Sequence, residues 1–310
     1  MADMNPMVVG GAGFVGSHLV DRLLAEGYPT DVVDDLSSSS LRNLADARAA
    51  GGSLKIHTLD VRAGDFASLV GMRRPDVIYH LALLTPGQSE RDADGSAVSN
   101  VLAVLEAARA HGVAKVVVAL PAGHLYGEVP TRELPVKDGR PFVPLGLRGV
   151  LASTVTDLLS VYRDDYAVEH TALAMTSVYG PRQRPVDGVV AAWAAAFAHG
   201  EPMTIHGDGR QTRDLLYVDD AVDALVRAGQ RGSGLVVNIG TGVQTSVRDL
   251  AAMIDPQSNF VAAPRRHGDL TRMAVSITRA RIHLQWSPWT DLASGLRATL
   301  ASFSRLVGGP

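Results

Sequence analysis

The chain holds 310 residues, 46% of them apolar and 20% charged, ordinary material for one large or two intimately joined globular lobes. Its net charge of −3 offers no basic field for nucleic acid, and no long apolar run suggests a membrane span. Cysteine is absent, which excludes disulfides, thiolate nucleophiles and cysteine-held metals, so the expectation is a cytoplasmic protein without a metal centre.

In chain order, "MVVGG" from Met7 reads as a strand. "SHLVDRLLAEG" follows as a helix, with Leu19, Leu23 and Leu24 on one face and Gly27 as its stop. "TDVVDD", "LKIHTLD", "DVIYHLA" and "AKVVVAL" are further short apolar runs bounded by Gly, Pro or charge, and "SSSS" at Ser37–Ser40 is a loop. "AVSNVLAVLEAARAHG" and "VLASTVTDLLSVYRDDY" carry the two longest helical patterns of this half. Strands alternating with helices predict an α/β fold, a doubly wound parallel sheet of the Rossmann type. After "EHTALAMTSVYGPRQRP" the strands shorten and Gly, Pro and Arg become frequent, while "RDLLYVDDAVDALVRAG" and "LVVNIG" read as returns to the sheet. Residues 1–176 with about 214–240 are therefore expected to form one lobe. About 177–213 and 241–310 form a smaller interleaved one, with the active cleft between them.

The clearest motif is "VVGGAGFVGSHLV", which sets Gly10, Gly13 and Gly16 between the first strand and the first helix. Such a turn lets the backbone N–H groups around Phe14 and Val15 approach a diphosphate at the helix N-terminus. Asp34, at the end of the second strand, is placed to accept from both ribose hydroxyls and to repel a 2′-phosphate. NAD is the expected cofactor.

These blocks resemble the extended short-chain dehydrogenase/reductase family, in particular its nucleotide-sugar epimerases and dehydratases, of which UDP-glucose 4-epimerase is the pattern. The resemblance runs nearly end to end, through "GGAGFVGSHL", "SVYGPRQRP", "GDGRQTRDLLYVDDAVDAL", "NIGTG" and "RRHGD". It implies that Asp60 and Val61 of "LDV" flank adenine, and that Leu81, Ala82 and Leu83 of "YHLAL" line the cofactor with Asn100. It also places Arg213 and Arg266 at a sugar-nucleotide diphosphate, a role suited to their planar forks, and Asp269 at its ribose. Ser177 stands where the family has asparagine, a shorter donor. The implied partners are a UDP- or dTDP-hexose and a second copy of the chain, in a homodimer built on the helices after Ala97 and Gly149.

The same resemblance exposes a departure. The family's Ser or Thr, Tyr and Lys would fall in "LPAGHLYG" and "PFVPLGLRG", which put Ala122, Leu145 and Gly149 at those positions. The only lysines are Lys55, Lys115 and Lys137, and no tyrosine precedes any of them by four residues. The triad is expected to be absent rather than displaced. His124 lies two positions beyond Ala122, where relatives that move protons beside a keto carbon hold a base, and histidine ordinarily titrates near neutrality. Tyr126 follows it. Three readings stay open: an epimerase or reductase of a nucleotide keto-sugar using His124, a 4-epimerase with substrate-assisted catalysis, and a binding homologue without chemistry.

Overall fold

The computed structural model describes residues 4–82, 95–257, 260–266 and 268–308. Its first half alternates strand and helix: β1 (Pro6–Val9), α1 (Phe14–Ala25), β2 (Thr30–Asp34), α2 (Ala45–Ala49), β3 (Leu54–Thr58), α3 (Gly64–Arg73) and β4 (Val77–His80). Then follow α4 (Ser96–His111), β5 (Lys115–Pro121), α5 (Ala122–Tyr126), α6 (Gly146–Tyr166) and β6 (Glu169–Met175). The remainder holds β7 (Ser177–Tyr179), α7 (Val189–His199), β8 (Met203–His206), β9 (Thr212–Arg213), β10 (Leu215–Tyr217) and α8 (Val218–Gln230). Last come β11 (Leu235–Ile239), β12 (Thr245–Ser246), α9 (Val247–Ile254), β13 (Phe260–Ala263) and α10 (Leu292–Gly308).

Seven strands pair in parallel in the order β11-β6-β5-β4-β1-β2-β3, the doubly wound α/β sheet that the sequence predicts. Alternation along each strand feeds two apolar layers. Met7, Val9, Ile78, Val116 and Val118 pack with residues of α3, α4 and α6 on one face. Val8, Tyr79 and Val117 pack with α1 and α8 on the other. Parallel strands covered on both faces need such continuous apolar runs. The strand order reverses between β1 and β4, which opens a crevice beyond their carboxyl ends.

The second apolar centre gathers Trp193, Met203, Ile205, Leu215, Leu250 and Leu296 around three small two-stranded sheets. Here the structure departs from the expectation for "RDLLYV". That segment becomes β10, which pairs with β7 outside the main sheet, because "LVVNIG" has taken the place beside β6 as β11. A second departure concerns α6, which starts at Gly146, so Gly149 lies inside the helix rather than before it. Leu145 takes the N-cap place, its N–H donating to the His124 carbonyl at 2.8 Å.

The buried carboxylate of Asp214 ties together segments far apart in the chain. It accepts from the Thr241 N–H (2.8 Å), the Thr241 hydroxyl (2.7 Å), the Gly242 N–H (3.0 Å) and the Val275 N–H (3.2 Å). Gly240 has no room for a side chain there, since a Cβ would stand 2.6 Å from the Asp214 carboxylate. One acceptor thus fixes the loop leaving β11 against the chain that enters β10.

Lys115 opens β5 almost fully buried, its Nζ donating to the Arg231 carbonyl at 2.5 Å. Burial pulls this ammonium down to about 8, with Glu169 on β6 pushing back. A lysine held below its unfolded value near 10.4 carries fewer protons folded than unfolded between those two pH values, so stability rises with pH across that window. The wild type should therefore gain on the order of 2–3 kcal/mol between pH 8 and 10, less its ordinary alkaline losses. Lys115→Met should lack that increment, as read from urea midpoints; parallel pH curves for the two proteins would contradict it.

Candidate cofactor and substrate cleft

The glycine turn lies at the mouth of the crevice. Gly10 adopts φ +81°, and a Cβ there would stand 2.9 Å from the Ala82 backbone nitrogen, so both backbone conformation and space demand glycine. Gly16 packs so tightly on the turn that a Cβ would meet the Gly10 carbonyl oxygen at 2.1 Å. Gly13 caps α1 without a side-chain acceptor, and the first turn, with Phe14 and Val15, carries no acidic residue. Its orphan N–H groups and the positive end of the helix dipole are left to an outside anion.

Asp34 braces this turn. Its Oδ2 accepts from the Ala12 N–H at 2.9 Å, and its Oδ1 from the Leu36 N–H (3.0 Å) and the Ser39 hydroxyl (2.5 Å). A carboxylate offers about four acceptor directions, so one remains for a ribose hydroxyl. Asn43 adds a bond to the Ala12 carbonyl at 2.9 Å. The sequence reading passed over Ser39 and Asn43; the serine-rich loop after Asp34 was the available signal.

The other cofactor candidates divide. The Leu81 N–H donates to Val9 at 2.9 Å, and the Ala82 carbonyl accepts from Asn100 Nδ2 at 3.2 Å, so these three line the crevice between β1 and β4. Asn100 Oδ1 is buried with no partner among the described residues, an acceptor left over. Leu83 lies outside the described residues. Asp60 follows β3 and is gripped by Arg62, which holds its carboxyl below the usual range. Val61 beside it is buried in the core under α3 and α4.

The residues matched to the sugar nucleotide meet on the opposite wall. Arg213 Nη1 donates to the Thr212 and Leu270 carbonyls, both at 2.9 Å. Burial pulls its guanidinium below the ordinary range, offset by the nearby Asp269 and Glu128 carboxylates, so an anionic ligand would stabilise it. The Ser177 N–H bonds the Asp214 carbonyl at 3.0 Å, which sets this exposed residue one step from Arg213. Arg266 is exposed, while its neighbour Arg265 reaches the Asp269 carbonyl at 2.7 Å and the Thr271 hydroxyl at 3.0 Å. Nothing in the doublet "RR" distinguished the two. Glu128 was also missed; it accepts from the Thr271 N–H at 2.6 Å and ties this wall to α5.

Between the walls stand α5 and the start of α6. Ala122 is fully buried, and a Cβ on Gly123 would meet Leu270 at 2.7 Å, so α5 lies directly on the sugar-nucleotide wall. His124 is half-buried at the centre of α5. Tyr126 is buried, stacks near Phe142 with ring centroids 5.4 Å apart, and donates to Asn238 Oδ1 at 2.8 Å. Burial pushes its hydroxyl up to about 12, so this group is spent on the fold.

The described residues include no helix long and apolar enough to cross a membrane. Residues 7–240 match the NAD dependent epimerase/dehydratase family. UDP-glucose 4-epimerase of Mycolicibacterium smegmatis is 39% identical, over 97% of this chain and 98% of its own. Two solved UDP-glucose 4-epimerases superpose over 97% of this chain. That of Thermotoga maritima, with UDP-glucose, has a TM-score of 0.91 at 32% identity and 98% coverage of its own chain. That of Thermus thermophilus, in complex with NAD, has 0.88 at 31% identity and 99% coverage. With the family model matched over residues 7–240 and relatives similar nearly end to end in sequence and fold, the chain belongs to the NAD dependent epimerase/dehydratase family.

Proposed function

We propose that this chain binds NAD between β1 and β4 and a UDP- or dTDP-activated keto-hexose beside it. On this reading its proton transfers pass from the family's Ser/Thr, Tyr and Lys to His124. The observation that carries the reading is the closure of α6 onto α5. At Gly149, the position matched to the lysine, a Cβ would stand 2.4 Å from the His124 carbonyl oxygen and 3.0 Å from the Pro144 carbonyl carbon. Those obstacles are backbone, which does not swing aside as a side chain does. Neither Ala122 nor Leu145 offers a group that exchanges a proton.

The loss handicaps oxidation of a sugar hydroxyl, because general acid–base help is worth roughly 10²–10⁴-fold. Proton exchange beside an existing carbonyl does not need the lost pair. His124 takes the proton from the carbon next to the carbonyl, and the C–H electron pair moves into a carbon–carbon double bond as the carbonyl pair passes to oxygen. Protonation by water on the opposite face gives the epimer, and His124 then releases its proton to solvent. If the cofactor were bound as NADH, it would supply a hydride to the carbonyl carbon while water gave the proton to oxygen, and reduction of the same ketone would be the alternative outcome. Arg213, Arg266 and Asp269 hold the nucleotide end, so positioning alone provides part of the rate.

A second reading is a UDP-sugar 4-epimerase with substrate-assisted catalysis. The 39% identity to the Mycolicibacterium smegmatis enzyme favours it. Interconversion of UDP-glucose and UDP-galactose separates the two readings, and none is expected.

His124→Ala should lower turnover of an NDP-keto-sugar by roughly 100-fold or more while leaving NAD and UDP affinity unchanged in calorimetry. An undiminished rate would remove His124 from the mechanism.

Gly149→Ala should cost about 1–3 kcal/mol despite alanine's better helix propensity, because the contact is with backbone. Ala122→Ser with Leu145→Tyr should fold and still not interconvert UDP-glucose and UDP-galactose. A folded triple variant that adds Gly149→Lys and gains that activity would show that the cleft still accepts the relay.

The second copy belongs on α6, whose outer face exposes Leu147, Val150 and Val161 beside α4. Light scattering should find a dimer, and Val150→Glu with Val161→Glu should yield a monomer that still binds NAD. A dimer that survives both changes lies elsewhere.

A further inference from the structure

A cavity of about 340 Å³ opens at the β11 edge of the sheet, two strands away from the crevice that β4 and β1 form. Its walls are the Tyr126 and Phe142 rings, the first residues of β11, and the side chains of Arg140 and Arg279. Apart from Tyr126, none of the residues matched to cofactor or sugar nucleotide lines it. The volume lies in the range of small-molecule sites.

The two guanidiniums differ in what they already hold. Arg140 is paired with Glu133. Arg279 has no carboxylate within ion-pair distance among the described residues; its Nη1 donates to the Val236 carbonyl at 2.6 Å. Its Nη2 lies beside Gly139, a residue at φ +79°, and makes no hydrogen bond among the described residues, which leaves one edge of the fork to a ligand. The backbone is stitched around it. The Arg279 N–H donates to Asp138 Oδ2 (3.1 Å), and Asp138 Oδ1 accepts from the Asn238 N–H (2.9 Å). A planar fork with one free edge beside aromatic walls recognises an oxyanion on a small apolar or sugar-like body.

We propose that this cavity is an accessory site for a small oxyanion, the phosphate or carboxylate of a metabolite distinct from the substrate. Its occupant touches Tyr126, whose hydroxyl pins α5 to Asn238, so binding is felt at His124 two residues away. The binding stands on the cavity alone, while any effect on turnover rests on the reading of His124 above.

The test is calorimetric titration with inorganic phosphate, glucose 1-phosphate and succinate, in the presence of excess NAD and UDP to occupy the main crevice. At least one probe should bind saturably at one site per chain. Affinity should fall at least about tenfold in Arg279→Leu, and equally in Leu235→Trp, which fills the cavity while keeping both arginines in the chain. Which probe binds tightest identifies the source: the bare ion, an organic phosphate or a carboxylate. No saturable binding, or binding indifferent to Leu235→Trp, overturns the proposal, and the tryptophan variant decides alone if Arg279→Leu does not fold. Histidine NMR signals of α5 that move in the wild type and stay still in Leu235→Trp would establish the coupling. Binding without that movement would confine the inference to the site.

Discussion

The packing of β10 against the loop after β11 and the segment at Val275 depends on one buried carboxylate. Placing Asp214 out of water costs several kcal/mol, which raises its pKa, and only the four donors arranged around it offset that penalty. Those donors come from 27, 28 and 61 residues along the chain, so a single side chain fixes three segments at once. Arg213 immediately precedes it, and the Ser177 N–H uses its backbone carbonyl. The geometry of the sugar-nucleotide wall is therefore inherited from a group that touches no ligand. Were Asp214 protonated or removed, the loss would fall on the placement of Arg213 before it fell on the sheet.

The second constraint is the contact between α5 and α6. A five-residue helix has no stability of its own, so α5 is held by what it touches. The Leu145 and Val143 N–H groups donate to the His124 and Leu125 carbonyls at 2.8 and 3.1 Å, and Tyr126 anchors its far end on Asn238. Two glycines make the approach possible. Gly149 would clash with His124, and Gly127, at φ +61°, would meet the Val143 carbonyl oxygen at 2.4 Å. At Gly149 the two backbones close on the space that any longer side chain would need.

These two features also mark where sequence reasoning stops. The strands, the glycine turn and Asp34 were legible because each is local: a period-2 apolar run, a strand–turn–helix junction, an acid at a strand end. "LVVNIG" was placed correctly in the sheet and "RDLLYV" was not, since three apolar residues in a row do not say which neighbour they will pair with. Arg265 and Arg266 are adjacent and chemically identical; only the fold turns one toward Asp269 and the other to solvent. Tyr126 looked available on paper, and its partner Asn238 lies 112 residues away. Long-range hydrogen bonds leave no periodic trace.

An enzyme that simply lost its catalytic groups would be free to lose the contacts that present the substrate as well. Here Arg213 remains half-buried, and the nearby Asp269 and Glu128 carboxylates only partly offset what burial costs its guanidinium. Asn100 Oδ1 has no partner among the described residues, and α1 keeps a first turn without acidic residues. A buried polar atom left without a partner costs about 1–3 kcal/mol. Such costs persist where ligands offset them. That balance accords with a member of the NAD dependent epimerase/dehydratase family whose polar cleft persists, and on the proposed reading the chemistry there falls to α5.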